Sequence, residues 1–259
     1  GCKSPSSAPV TVTNQSATTW NGTAWSNGTP NSTKSVIFTG PYTLTGNLDA
    51  CSCTVSSSGS LIVPSGIVLN LTNEVTVNAG GSLIFNNNSS LMQSNKNAVN
   101  SGNITYIRET SVRRYDYTYW SSPLTLGSNF TLHSMSPNTL ADKYTSYDAT
   151  GGSWAIHYGG EKVMIPGEGY SVRGPQNCDI TTAGTQIASF VGVPNNGDVP
   201  KTTVKDRFNL LGNPYPSAID GYKLIRDANI GTVYLWTHNT PPANDGTNNK
   251  YKYASSDYA

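Results

Sequence analysis

Short runs in which apolar and polar residues alternate dominate residues 35–107, and Gly, Asn and Ser separate them. Apolar residues alternate at Leu61 and Val63, at Val75 and Val77, and again further on. A period of two is typical of β-strands that bury one face. The pattern predicts strands of three to five residues at 35–39, 42–45, 51–55, 60–63, 67–71, 75–77, 82–85, 90–93 and 103–107.

One pattern within this region occurs twice, as TVSSSGSLI at 54–62 and as TVNAGGSLI at 76–84, 22 positions apart. A repeat of this length that keeps the chain direction is typical of a parallel β-helix, in which equivalent residues of successive coils lie one above the next. An antiparallel sandwich of hairpins is the competing interpretation.

The repeat predicts Gly59 and Gly81 at one corner, with positive φ. The predicted stacks are Thr54 on Thr76, Val55 on Val77, Leu61 on Leu83, Ile62 on Ile84, and Ile67–Leu69 on Ser89–Leu91.

After Ile107 the repeat ends, and the predicted strands become longer and richer in aromatic residues. Loops with Pro, Gly and Asn separate them, as in an antiparallel β-sandwich. The strands are predicted at 143–148, 153–158, 169–173, 186–192, 208–211 and 232–237, with a helix at 217–226 capped by Ser217. The predicted fold is therefore all-β: a short parallel β-helix followed by an antiparallel β-sandwich.

Three segments are predicted along the chain. Residues 15–108 form the β-helix with an N-terminal cap, and residues 109–259 form a sandwich that is incomplete at its C-terminal end. Residues 1–14 contain one alternating strand, and one strand cannot fold alone. GCKS at 1–4 and APVTVT at 8–13 resemble the closing hairpin of immunoglobulin-like repeats in very large bacterial surface proteins, so this segment is the last strand of an upstream repeat or a linker.

Charged residues make up 12% of the chain and the net charge is +1. This composition gives no basic face for nucleic acid. No apolar run of 18 residues is present, so no membrane span is predicted. Few charges, many small polar residues and 15 Tyr favour an extracellular protein. No signal peptide is recognisable at Gly1, so we expect a mature chain or part of a longer one.

The spacing of Cys2, Cys51, Cys53 and Cys178 matches no zinc site. Cys51 and Cys53 flank one Ser, and a direct bridge between them is geometrically awkward. We interpret them as small buried residues, with a Cys-x-Cys metal clip as the alternative. The pairing of the four cysteines stays open.

Few charged residues in the predicted β-helix could form a catalytic pair. Between Trp20 and Thr105 the charged residues are Lys34, Asp49, Glu74 and Lys96. Polysaccharide hydrolysis needs two carboxylates on one wall, and Asp49 and Glu74 are 25 positions apart. No nucleophile elbow accompanies the many Ser residues. We therefore expect no catalytic residues.

Aromatic residues supply the candidate ligand-binding positions. Trp20 and Trp25 interrupt a polar, turn-rich segment, where they either bind sugar or plug the end of the β-helix; we favour the plug. Tyr115, Tyr117 and Tyr119 are predicted to share one strand face, with Asp116, Thr118 and Trp120 on the other. Such a Tyr ladder forms a sugar-stacking platform, a protein contact or ordinary core. We favour core.

Metal binding has one candidate loop near the end of the chain. Asn244, Asp245 and Asn248 offer oxygen ligands of the kind that Ca²⁺ prefers, but the EF-hand order is absent. We favour a solvent-exposed loop and expect no cofactor, with Ca²⁺ as the alternative.

Six phrases together resemble one family over about residues 19–259: TWNG with WS at 25–26, GGSL at 80–83, YDYTYWSSP at 115–123, GEGY at 167–170, LLGNPYPSAID at 210–220 and YLWTHN at 234–239. They resemble the region before the C-terminal sorting domain of large proteins that Bacteroidota export by type IX secretion. The resemblance implies a bacterial surface protein or adhesin. The chain departs from the full pattern because it carries no sorting domain.

These observations predict a non-catalytic, secreted cell-surface module that serves as a stalk, as an adhesive segment, or as a self-associating component of a biofilm or filament, and the sequence does not separate these roles. Its expected partners are polysaccharide, other surface proteins or copies of itself. A carbohydrate-binding module of a larger secreted enzyme is the first alternative. A β-helix polysaccharide lyase or hydrolase is the second.

Overall fold

The computed structural model of the protein describes residues 17–127, 129–228, 230–237, 240, 243–244, 251–252 and 257. The predicted strand at 1–14, with Cys2, and the calcium candidates Asp245 and Asn248 lie outside the described residues. The described structure is 37% strand and 7% helix, which confirms the all-β prediction. None of the described helices is long and apolar enough to span a membrane.

The strands are numbered here in chain order. The first eleven are β1 Thr18–Trp20, β2 Val36–Phe38, β3 Pro41–Thr43, β4 Leu48–Ala50, β5 Cys53–Val55, β6 Ser60–Val63, β7 Val68–Leu71, β8 Val75–Val77, β9 Ser82–Phe85, β10 Ser90–Gln93 and β11 Ile104–Val112. They are followed by β12 Tyr117–Trp120, β13 Leu124–Leu126, α1 Leu132–Met135, β14 Tyr144–Asp148, β15 Ser153–Ile156, β16 Tyr170–Arg173, β17 Gly184–Pro194, α2 Gly221–Asp227, β18 Ala243–Asn244 and β19 Tyr251–Lys252.

Residues 18–112 wind into a parallel β-helix of about four turns with three sheet faces. The faces have the strand orders β1-β2-β5-β8, β3-β6-β9-β11 and β4-β7-β10, and neighbouring strands on each face run parallel. The predicted stacks are confirmed by the register: Thr54 pairs with Thr76, Leu61 with Leu83 and Leu69 with Leu91.

Coil length varies along the helix. Val36 pairs with Cys53, 17 positions on, whereas Cys53 pairs with Val75, 22 positions on. The shorter coil that begins at Val36 still places an apolar residue under each inward position of the coil that begins at Cys53. Val36, Cys53 and Val75 are each fully buried and form one continuous column.

The corner at Gly59 and Gly81 was predicted correctly in position but wrongly in its cause. Neither residue has positive φ; the left-handed residue is the neighbouring Gly80, at φ 91°. Gly59 and Gly81 are needed because the backbone of the coil below passes too close for a Cβ. A Cβ built on Gly59 would lie 2.1 Å from the Phe38 carbonyl oxygen, and one on Gly81 would lie 2.5 Å from that of Ser56.

A single strand joins the two modules. β11 runs across the predicted boundary at 108–109, pairing in parallel with β9 and then antiparallel with β17 along nine residues. β13 completes a six-stranded sheet of order β13-β17-β11-β9-β6-β3. One sheet therefore belongs to both the β-helix and the sandwich.

The second layer of the sandwich is the antiparallel sheet β12-β16-β14-β15. Its inner face packs on the β11–β17 part of the six-stranded sheet. The Trp120 and Phe190 rings meet across the two sheets at 6.4 Å between centroids, and Tyr144 and Tyr170 are fully buried in the same core.

Three predicted elements of the sandwich are corrected. The helix begins at Gly221, because the Asp220 carboxylate caps it by accepting from the Lys223 amide, 3.0 Å away. A charged acceptor is favoured at a helix N-terminus. Residues 208–211 are not a strand, since the Asn209 side chain bonds the backbone of Val204. Residues 232–237 are not a strand either; they lie across the outer face of the second sheet.

Glu168 lies just before β16 and fixes the start of this strand through side-chain contacts. It accepts hydrogen bonds from Lys201 at 2.9 Å and from the Tyr170 hydroxyl at 2.8 Å, with Lys162 at 3.6 Å. Burial alone would raise the pKa of the Glu168 carboxyl, but these hydrogen bonds and cations outweigh it and lower the pKa below 4.5.

Gly59→Ala is expected to destabilise the β-helix by about 2 kcal/mol or more, because the new methyl group meets backbone that cannot rotate away. Gly46→Ala is the matched control, since nothing lies within 4 Å of its Cβ position. Chemical denaturation of both variants checks the difference. Equal midpoints for the two variants would contradict the close-approach explanation.

Glu168→Gln is expected to cost about 1 to 2 kcal/mol of unfolding free energy at pH 7. The folded-state pKa of Glu168 is lowered, so its contribution is complete above pH 4.5 and is lost as the pH falls through the folded value. Thermal melts of the variant and the wild type should therefore converge as the pH falls below the folded-state pKa of Glu168. A gap in melting temperature that persists unchanged down to the lowest pH at which both proteins fold would count against this role.

Candidate functional site

The first aromatic cluster closes the N-terminal end of the β-helix. Trp25 lies 5.6 Å from Phe38 and 5.5 Å from Tyr42, and Trp20 lies 4.7 Å from Tyr42, between ring centroids. The Trp20 indole also donates to the Pro41 carbonyl at 2.9 Å. Both tryptophans pack on residues of the first coil, which supports the plug interpretation over sugar binding.

The Tyr ladder of β12 lies on the outer face of the second sheet. Trp120 is buried and Thr118 shares its inner face, whereas Tyr117 and Tyr119 point the other way and are half-buried. Neither tyrosine belongs to the hydrophobic core, so the preferred core interpretation was wrong. Tyr115 precedes the strand, and the Arg173 guanidinium stacks over its ring at 5.4 Å.

Four rings from four segments meet on this outer face and are called here the aromatic platform: Tyr119, Tyr147, Trp154 and Trp236. Tyr119 and Trp236 are stacked at 5.5 Å with an interplanar angle of 16°, and Trp154 lies 6.0 Å from Tyr119 and 5.3 Å from Tyr147. Trp154 is 45% exposed. The Trp236 indole donates to the Tyr117 carbonyl at 2.6 Å, which fixes its ring over the sheet.

Charged groups border one end of the platform. Lys143 pairs with Asp142 at 2.7 Å, and Arg173 stands opposite Tyr117 in the register. Burial raises the pKa of the Tyr117 hydroxyl, and the positive charges of Lys143 and Arg173 offset part of that rise. The tyrosine is therefore a neutral hydrogen-bonding group near neutral pH.

Sequence analysis found Tyr119 but missed Tyr147, Trp154 and Trp236. Tyr147 and Trp154 are directly opposite each other in the β14–β15 pair. Their alternation within predicted strands was the available signal. Trp236 carried no such signal, because its segment is not a strand; its indole donates to the Tyr117 carbonyl and its ring stacks on Tyr119.

A concave site of about 460 Å³ lies between the β-helix and the second sheet. Residues of β11, β12 and the segment 213–218 form its walls. The site was not predictable from the sequence, because its lining residues run from Asn88 to Ala218, 130 positions apart in the chain.

The carboxylates considered for catalysis do not form a pair. Asp49 lies on β4 and accepts from the Asn70 side chain at 2.9 Å, whereas Glu74 immediately precedes β8 on another face. In the described residues no group of three or more His, Cys, Asp or Glu side chains could hold a metal ion.

The thiols that the structure describes are free, and burial controls their chemistry. Cys53 is fully buried, which confirms its interpretation as a small core residue, and burial raises its pKa to about 12. Cys51 is half-buried at a corner and accepts a bond from the Asn73 side chain at 3.2 Å. The Cys53 thiol therefore lacks the low pKa of a reactive cysteine or metal ligand.

Trp25→Ala is expected to lower stability by about 2 kcal/mol, because it uncovers Phe38 and the first coil. Denaturant midpoints check this, with Trp154→Ala as a matched control that should change stability little. If Trp25→Ala leaves the midpoint unchanged and abolishes sugar binding, the plug interpretation fails.

Comparison with curated proteins gave no match, and comparison with solved structures gave none either. A family model does match residues 11–259, which is nearly the entire chain. The match includes both the β-helix and the sandwich, so the two modules belong to one family unit. The chain is therefore a member of the family described as "Domain of unknown function (DUF8693)".

Proposed function

We propose that this chain is a non-catalytic surface module that binds polysaccharide through the aromatic platform. The observation that carries the proposal is the exposure of Trp154 beside Tyr119 and the stacked Trp236 on a solvent-facing sheet. Aromatic faces stack on the C–H surfaces of sugar rings, and indole and phenol groups add hydrogen bonds at the edges.

The platform is pre-organised, which favours binding. Its rings stand on a hydrogen-bonded antiparallel sheet whose opposite face is packed core, and the Trp236 ring is held by its bond to Tyr117. Little conformational entropy is then lost when a ligand binds.

The β-helix supplies the mechanical part of the proposed role. Stacked coils with paired backbone groups form a stiff body, and low charge permits close approach to a neutral polysaccharide. Together with the resemblance to proteins exported by type IX secretion, this supports a secreted protein at a bacterial surface that acts as an adhesive segment or stalk.

Self-association is a second candidate, favoured by one observation. β15 is the edge strand of the second sheet, all four of its residues are exposed, and Trp154 and Ile156 are among them. An unprotected edge strand can pair with the same strand of another copy. Light scattering at rising concentration separates this from glycan adhesion.

Trp154→Ala and Trp236→Ala are expected to weaken binding to neutral polysaccharides by about tenfold or more, since each removes one stacking ring. Glycan arrays followed by calorimetry on the full chain measure this. Tyr222→Ala is the matched control, because Tyr222 is a 91% exposed aromatic on α2, outside the platform. Wild-type protein that binds no polysaccharide on the array, or a Trp154→Ala variant with wild-type affinity, would refute the proposal.

A further inference from the structure

The cleft between the β-helix and the second sheet has an aromatic floor. Tyr106 on β11 stands opposite Phe190 on β17, and the Trp120 ring lies 6.4 Å from Phe190. All three side chains are at least nine-tenths buried, and the Tyr106 hydroxyl is fixed to the Ser89 carbonyl at 3.1 Å. At about 460 Å³ the cleft is within the size range of small-ligand sites.

Arg108 places a positive charge beside this floor. It lies two residues after Tyr106 on the same face of β11, opposite the small Ala188. Within the described chain it forms no ion pair, and it donates to Asn88 over a long 3.4 Å. Glu109 also borders the cleft but belongs to the opposite face of β11 by alternation, and it forms no ion pair with Arg108 in the described structure.

Two residues of the cleft wall carry buried polar atoms with no hydrogen-bond partner among the described residues. These are the hydroxyl of Thr118 and the indole nitrogen of Trp120, neighbours on the inner face of β12. A buried donor without a partner is costly, so each such group requires an explanation. Side-chain rotations of the kind that accompany binding would bring them to a ligand acceptor.

We propose that this cleft, which adjoins the aromatic platform at Tyr119, is a second binding site for a carboxylated sugar such as a uronic acid unit of an acidic polysaccharide. Arg108 binds the carboxylate, because guanidinium matches its planar pair of oxygens. The sugar ring contacts the small exposed parts of the Tyr106 and Trp120 rings. The Thr118 hydroxyl and the Trp120 indole donate to ring or hydroxyl oxygens. A neutral sugar would leave Arg108 without an ion-pair partner among the described residues.

Calorimetry of the full chain with galacturonate and glucuronate oligosaccharides, and with neutral hexose oligosaccharides of equal length, tests this. Wild-type protein is expected to prefer the acidic series by about tenfold or more. Arg108→Gln should remove that preference. Arg226→Gln makes the same charge change on α2, at a side chain that is 73% exposed, and should keep it. Because the platform is proposed to bind neutral sugar, equal affinity for both series in the Trp154→Ala variant, or no saturable binding of acidic oligosaccharides, would overturn the proposal.

Thr118→Val tests the site without relying on charge. The substitution keeps the shape and removes a hydroxyl that has no protein partner, so the melting temperature should stay level or rise while acidic-sugar binding weakens about tenfold. A merely structural role predicts no loss of binding.

Trp154→Ala separates the two sites: acidic binding that is lost in Trp154→Ala but kept in Arg108→Gln would place the acidic sugar on the platform and reject the cleft.

Discussion

The stacking of coil on coil is the constraint on which the rest of the molecule depends. Each inward residue must fill the space between its equivalents above and below, as Phe38, Val55 and Val77 do in one buried column. A slip of one residue would turn every inward side chain outward. Packing of the inward side chains therefore fixes the register of the strands. The distance between the backbones of successive coils at the corners follows from that register. This explains why Gly59 and Gly81 are constrained by contact rather than by φ.

A β-helix must also be closed at both ends, and the two closures differ in kind. The N-terminal end is covered by aromatic side chains from a turn-rich segment. The other end is covered by continuing one of its own faces into a sandwich, where β17 pairs antiparallel with β11. The aromatic platform and the cleft both result from that second closure. The platform is on the outer side of the covering sheet, and the cleft lies where that sheet meets the last coils.

The β-helix could be predicted from the sequence more completely than the platform and the cleft could. The 22-residue repeat and the period-two alternation are local patterns that determine which residues face inward and which residues stack. Strands such as 60–63 and 82–85 were therefore predicted residue for residue. The helix start failed because Ser217 and Asp220 are both good caps, and the charged one is used. The cleft was invisible because Arg108, Trp120 and Phe190 lie far apart in the chain, and only β-pairing across the sandwich brings them together.

The shared register of the middle coils has a consequence for how this architecture can change length. β5 and β8, β6 and β9, and β7 and β10 are all offset by 22 residues, so one coil is interchangeable with the next. Duplicating such a coil would extend the body by about 4.8 Å, the spacing of adjacent strands, and leave both ends untouched. The length of the β-helix is therefore set by the number of its coils, while the N-terminal cap and the sandwich stay the same.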